Sequence, residues 1–198
     1  KILVYGGSIL HGFCASRPGM TMTSQLSRRL GREIYNLAVN GNGKCEDETA
    51  YALRECEGVR WLILSPEGNC PTVDWLDEHM RSFIRIVRET RPEWNIAVMS
   101  FMREARERFQ TDYRALRLAK RDCQRKIVED LRAAGDRRIV FWDGGDFTGA
   151  DEDIMDGAFS QGEECTADFQ HKSDMGFFIM TRAIEKRLRA FEAAEVQP

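Results

Sequence analysis

Five apolar segments, separated in turn by helix-like stretches, constrain this chain more than any other feature. They are residues 1–5 (KILVY), 33–39 (EIYNLAV), 59–65 (VRWLILS), 95–101 (NIAVMSF) and 138–142 (RIVFW). They lack the polar alternation of a strand with one wet face, so the pattern predicts strands covered on both sides. Between and after them lie helical stretches at 20–30, 46–57, 74–90, 111–134 and 174–191. Met20, Leu26 and Leu30 mark the first, with Gly31 as its stop. In the third, Leu76, Met80, Phe83, Ile84 and Val87 fall on one stripe, and Pro92 follows the end. The fourth carries Leu116, Cys123, Ile127 and Leu131 on its predicted inner face, and the last carries Phe177, Ile184, Leu188 and Phe191. A long loop of little periodicity spans 144–172.

A βαβαβαβαβ–loop–α order implies a parallel sheet, and right-handed crossovers then put helices on both faces. The expected architecture is a three-layer α/β/α sandwich on a five-stranded parallel sheet. With 198 residues, 42% hydrophobic and 31% charged, the chain reads as one globular domain over 1–198 able to bury a core without staples. Its six cysteines show no CxxC pair, so they read mostly as buried thiols, with room for one disulfide between loops. The net charge of −3 excludes a general nucleic-acid or membrane-surface binder. No apolar run approaches the roughly 20 residues of a membrane span. The chain opens on Lys1 and an apolar run, which reads as a trimmed start without a signal peptide and favours the cytoplasm.

In parallel sheets the ligand crevice lies beyond the carboxyl ends of the strands. Those ends are Gly6–Ser8, Asn40–Gly43, Pro66–Asn69, Phe101–Arg103 and Asp143–Asp146. Ser8 follows two glycines at the first of them. Its hydroxyl is a nucleophile if a base activates it and a turn or cap residue otherwise. Of three histidines, His79 sits beside an apolar helical stripe and His11 only three residues from Ser8. His171 is preceded three residues earlier by Asp168, whose carboxylate can fold back onto the imidazole as the third member of a triad. The Gly41 N–H, the Asn69 amide and the Ser8 N–H end neighbouring strands and could surround one oxyanion. Singly, Gly41 and Asn69 read equally well as turn residues.

Taken together, these residues resemble the SGNH-hydrolase superfamily, the GDSL-type lipases and esterases. The resemblance rests on Tyr5-Gly6-Gly7-Ser8-Ile9, Gly12 and Cys14-Ala15-Ser16-Arg17-Pro18-Gly19, similar to a branch with a serine block YGxSIxxGxCASRPG. It continues through Asn36-Leu37, Asn40-Gly41-Asn42-Gly43, Asn69-Cys70-Pro71-Thr72-Val73, Cys165-Thr166-Ala167-Asp168 to His171, and Ser173-Asp174-Met175-Gly176-Phe177. It spans essentially the whole chain. It implies a flavodoxin-like SGNH fold, Ser8 as nucleophile, His171 as base, Asp168 as its orienting partner, and an oxyanion hole of Ser8, Gly41 and Asn69. It also implies a serine esterase or acylhydrolase acting on a short acyl ester such as O-acetyl on a carbohydrate, with no cofactor or metal. Alternatives are a thioesterase or lysophospholipase, or a non-catalytic ligand-binding domain. Four residues depart from the usual GDSL-type pattern. Gly7 stands where an Asp is usual in GDSL-type sequences, though the branch with this serine block commonly lacks it; Lys172 stands where Pro follows the histidine, and Phe169-Gln170 where a small Gly-containing pair is common.

Other residues carry weaker readings. Arg17 and Arg103 could bind substrate or brace their loops. Trp75 and Phe147 could stack on a sugar ring or roof the core. The acidic run Asp143, Asp146, Asp151, Glu152, Asp153 and Asp156 fits no EF-hand spacing and reads as a solvated loop. Gly6-Gly7-Ser8 lacks the lysine of a phosphate-binding loop.

Overall fold

The computed structural model describes residues 1–147 and 165–196. Five parallel strands, β1 (Ile2–Gly6), β2 (Ile34–Asn36), β3 (Trp61–Ser65), β4 (Asn95–Met99) and β5 (Ile139–Trp142), form one sheet in the order β2-β1-β3-β4-β5. Ile2 stands opposite both Ile34 and Trp61, and Ile96 opposite Ile139, so the strands start nearly level. Among the described residues six α-helices cover the sheet: α1 (Ser8–His11), α2 (Met22–Leu30), α3 (Asp47–Leu53), α4 (Val73–Thr90), α5 (Thr111–Ala133) and α6 (Asp174–Val196).

Alternate strand residues feed two separate cores, as the two-residue strand period requires. Ile2, Val4, Trp61, Ile63, Ala97, Met99 and Trp142 face α1, α2 and α6. Leu3, Tyr5, Leu62, Leu64, Ile96, Val98 and Ile139 face the other layer, where Leu76, Met80, Phe83, Ile84 and Val87 of α4 are all buried. The expected three-layer sandwich is therefore present. Among the described residues no helix is long and apolar enough to cross a membrane.

Helix ends follow local chemistry. The Thr21 and Thr72 hydroxyls accept the backbone N–H of Ser24 (3.3 Å) and Trp75 (3.1 Å), capping α2 and α4. Gly31 closes α2 at φ 61°, a left-handed position that glycine takes at no steric cost.

Several details differ from the sequence reading. The second strand ends at Asn36, short of the expected Val39, although the Leu37 and Val39 amides still donate to the Val4 and Gly6 carbonyls of β1. The one-turn helix α1 was unforeseen, since four residues carry no periodicity. Leu116 is 38% exposed rather than inward. The first half of α5 instead buries Arg117, Lys120, Arg121 and Gln124. All six cysteines are free thiols, with Cys45, Cys70 and Cys165 buried, so no loop disulfide forms.

Those α5 side chains form a polar layer under three strand ends. Arg117 pairs with buried Glu104 and lies 3.4 Å from buried Glu67, and Gln124 donates to the same Glu67 carboxylate. Lys120 Nζ donates to the carbonyls of Glu67 (3.1 Å) and Cys70 (2.6 Å). Arg121 bonds the Phe101 carbonyl at 3.2 Å, and its Nε lies 3.2 Å from Asp143. The loops after β3, β4 and β5 are thus fastened to one helix. A further tether comes from Lys172, which is fully buried and donates from Nζ to the Arg103 carbonyl at 2.7 Å.

Removing one member of a buried ion group leaves its partners uncompensated. Arg117→Met is expected to destabilise the fold by about 3–5 kcal/mol in urea denaturation. Burial pushes the Lys172 ammonium down from its ordinary 10.5 to about 8, against the pull of Glu104. Between those values the unfolded chain holds a proton that the folded chain has released. Native stability contributed through this group therefore rises with pH across that window. Against Lys172→Met, the wild-type protein should gain about 1–3 kcal/mol between pH 8 and pH 10 in paired denaturation curves.

Candidate active site

The site begins where β1 ends. Gly6 and Gly7 release the chain from the sheet, and Ser8 opens α1 with its side chain partly accessible. Gly7 has a packing reason. A Cβ built there would lie 2.2 Å from Asn69 Nδ2. Gly43 is similar, because a Cβ there would fall 2.3 Å from the Gly6 carbonyl oxygen. The loops after β2 and β3 therefore close directly onto the serine turn, and only hydrogen atoms at these Cα positions permit it.

Other contacts hold those loops. The buried Tyr5 hydroxyl accepts the Cys45 N–H at 3.0 Å and bonds the Glu46 carboxylate, pinning the chain just past Gly43. Asn69 Nδ2 donates to the Asn42 carbonyl, so the amide sits between the serine turn and the 40–43 loop. A primary amide has two N–H donors, so this bond leaves one for another acceptor. Gly41 is exposed at the rim with φ 73°.

The last loop supplies the histidine. An isolated bridge pairs Thr166 with Lys172, and the Ala167 N–H donates to the His171 carbonyl at 2.8 Å, closing a tight turn over 167–171. His171 Nε2 lies 2.9 Å from Ser8 Oγ, and its Nδ1 lies 2.7 Å from Asp168 Oδ2. Asp168 Oδ1 accepts the backbone N–H of His171 (2.6 Å) and of Gln170 (3.1 Å). Partial burial raises the Asp168 pKa, but the hydrogen bonds from the His171 ring and the two amides outweigh it and hold the carboxyl below its usual range. Asp168 is thus an ionised acceptor, suited to hold a proton on Nδ1 of the imidazole. Nε2 is then an acceptor aimed at a hydroxyl.

The structure brings Ser8, Asp168 and His171 into one hydrogen-bonded line and sets Asn69 and the 40–43 loop beside it. Arg17 is exposed, with Nη1 3.3 Å from Ser16 Oγ; Ser16 in turn bonds Asp174 through its N–H (2.9 Å) and hydroxyl (2.5 Å). Arg103 gives its backbone carbonyl to Lys172, and its side chain lines a cleft of about 210 Å³ with Glu107, Arg108 and Arg114. The Lys172 ammonium is buried on the Arg103 carbonyl and is not presented to the imidazole from the surface.

His11 is exposed, and His79 stacks on Trp75 with ring centroids 3.7 Å apart. Phe147 is fully buried, which makes it a core residue rather than a sugar platform, whereas Trp75 keeps an exposed edge. Asp143 is engaged by Arg121 and Arg125, while Asp151 to Asp156 lie outside the described residues. Cys14, Asp168 and His171 have donor atoms within 4.8 Å of one another, the metal-capable grouping found among the described residues. Two of its three members already serve each other. Sequence reasoning missed Phe13, whose ring packs edge-on against His171 at 4.6 Å. It also missed the polar layer, for which the only signals were single acidic residues within loops.

The GDSL-like Lipase/Acylhydrolase family matches residues 1–189. No curated protein matches the chain. A Bacteroides ovatus ATCC 8483 protein described as a GDSL-like lipase superposes with a TM-score of 0.80 at 29% identity, over 97% of this chain and 52% of that one. The salicylyl-acyltransferase SsfX3 of a tetracycline biosynthetic pathway gives 0.80 at 20% identity, over 99% and 56%. A family two carbohydrate esterase of Clostridium thermocellum, in complex with cellohexaose, gives 0.68 at 17%, over 97% and 64%. The last two speak for the fold alone. This chain spans a little over half the length of the first two and under two thirds of the third. With the family match running nearly end to end over this sandwich, the chain belongs to the GDSL-like lipase/acylhydrolases.

Proposed function

We propose that this protein is a serine ester hydrolase working through an acyl-enzyme on Ser8. The observation that carries the reading is the continuous line Ser8 Oγ–His171–Asp168, with links of 2.9 and 2.7 Å, both within catalytic hydrogen-bond range.

In the first half-reaction Ser8 Oγ attacks the ester carbonyl carbon while His171 Nε2 takes its proton. Asp168 stabilises the imidazolium through Nδ1–H without itself being protonated. The carbonyl oxygen becomes an oxyanion and is received by the Ser8 N–H, the Gly41 N–H and the remaining Asn69 N–H. As the tetrahedral intermediate collapses, the C–O bond to the alcohol breaks. The alcohol departs with the proton from His171 Nε2. Water then attacks the acyl-enzyme by the same route, and the acid leaves with Ser8 restored. No step calls on a metal or organic cofactor.

The substrate we propose is a short acyl ester, with acetyl on a carbohydrate as the leading case. Support comes from the resemblance to the branch with the YGxSIxxGxCASRPG serine block, to which we assign the chain. The fold of a carbohydrate esterase agrees with it.

Ser8→Ala should lower kcat for p-nitrophenyl acetate by about 10³-fold or more, and a fluorophosphonate probe should label wild-type Ser8 alone. Equal rates in the two proteins, or an unlabelled Ser8, would point to a ligand-binding domain instead. Asn69→Ala should lower kcat about 10²–10³-fold with little change in KM, because its donor bonds the oxyanion rather than the bound ester.

A further inference from the structure

Phe169 stands out on two independent counts. Its backbone is left-handed, at φ 65°, where a bulky residue is strained and glycine is not. Its ring contributes little to the core, since the residue is 54% exposed. Glycine would satisfy the turn, and the backbone bond made there, from the Arg106 N–H to the Phe169 carbonyl at 3.1 Å, needs no side chain. Folding therefore gives no account of why a phenyl ring sits at the tip of the loop bearing Asp168 and His171.

Its surroundings supply one. Phe169 meets Phe109, itself 61% exposed, edge to face at 5.9 Å. Phe13, 42% exposed, packs edge-on against the His171 ring at 4.6 Å. The Phe13 N–H is held by the Ser8 carbonyl at 3.0 Å, so this ring moves with the nucleophile turn. Two exposed phenyl rings thus flank the catalytic loop, one touching the imidazole and one at the loop tip two residues before it.

Which part of an ester meets these rings follows from the proton path. The departing alcohol oxygen must come within hydrogen-bond reach of His171 Nε2 to take its proton. The carbonyl oxygen points instead toward Gly41 and Asn69. Groups attached to the alcohol oxygen are therefore the ones carried to the His171 side. We propose that Phe13 and Phe169 form an apolar wall that receives a ring of the leaving alcohol. The preferred alcohol then presents a flat apolar face, either an aryl ring or the C–H face of a pyranose. The assignment rests on the serine-esterase reading above. The contact lies beyond the bonds broken and formed, so these are specificity-determining rather than catalytic residues.

The test compares three acetates of one acyl group, phenyl acetate, a methyl pyranoside monoacetate and ethyl acetate, on wild type, Phe13→Ala, Phe169→Gly and the double variant. The readout is the ratio of kcat/KM for each ring acetate to that for ethyl acetate. Each ring removed should lower the ratio for the favoured alcohol by about three- to tenfold. The phenyl and pyranoside arms show which alcohol the wall takes. Phe169→Gly should melt within a few degrees of wild type, because glycine accepts the left-handed turn, so a loss of selectivity there is not a loss of fold. A double variant that keeps both wild-type ratios overturns the assignment while leaving the esterase reading intact. Turnover by Ser8→Ala equal to wild type on all three esters overturns the esterase reading itself.

Discussion

Everything at the site depends on holding loops still. In a parallel sheet the strands are rigid but the chemistry sits beyond them, on segments with no ladder of their own. Here the holding is done from beneath by buried charge. One helix, α5, sends Arg117, Lys120 and Arg121 under the ends of β3, β4 and β5 and fastens each loop by carbonyl or carboxylate. Such groups add little net stability, because desolvation offsets most of the Coulomb gain. What they do add is direction. An arginine fork or an ammonium fits only one arrangement of its acceptors, whereas an apolar contact tolerates sliding. Asn69 stands three residues past Pro66, within the segment that Lys120 grips at Glu67 and Cys70. The position of its amide is set from that side as well as by the Asn42 carbonyl.

Lys172 extends the same device to the last loop. Where the family pattern has proline after the histidine, rigidity would come from a fixed φ. This chain reaches a similar end by a longer route. The Lys172 stem runs into the interior and ties the residue after His171 to the loop after β4. The Arg106 N–H to Phe169 carbonyl bond adds a second link between the same two loops. His171 is thereby held from both sides, and Asp168 need only orient its ring.

How far the sequence alone reaches is clear from particular elements. The strand–helix order was legible because β1, β3 and β4 lie between two covered faces, and continuous apolar runs report that directly; the edge strand β2 is the exception, with Tyr35 43% exposed. The α4 stripe was legible because its partner surface is apolar. The stripe assumed for α5 failed at Leu116 because the surface facing that half of the helix is ionic, and periodicity in hydrophobic residues cannot register a face that buries arginines. At the site, Ser8, Asp168 and His171 were suggested by type and spacing, and their convergence became visible once the crossovers placed residues 8 and 171 at one rim. Phe13 and the inward turn of Lys172 had no signal of their own. Each is a long-range contact between loops whose course no local rule gives.

The same packing explains why Gly7 is not merely a missing aspartate. An acidic side chain at that position would need the space that Asn69 occupies, and even a methyl group would press on its amide nitrogen. The asparagine leans onto the backbone before the serine and uses one N–H on Asn42. Its second N–H is left for another acceptor. A negative charge at position 7 would compete with an oxyanion for that N–H. Glycine there leaves no such competitor beside the donor that the proposed mechanism assigns to the oxyanion.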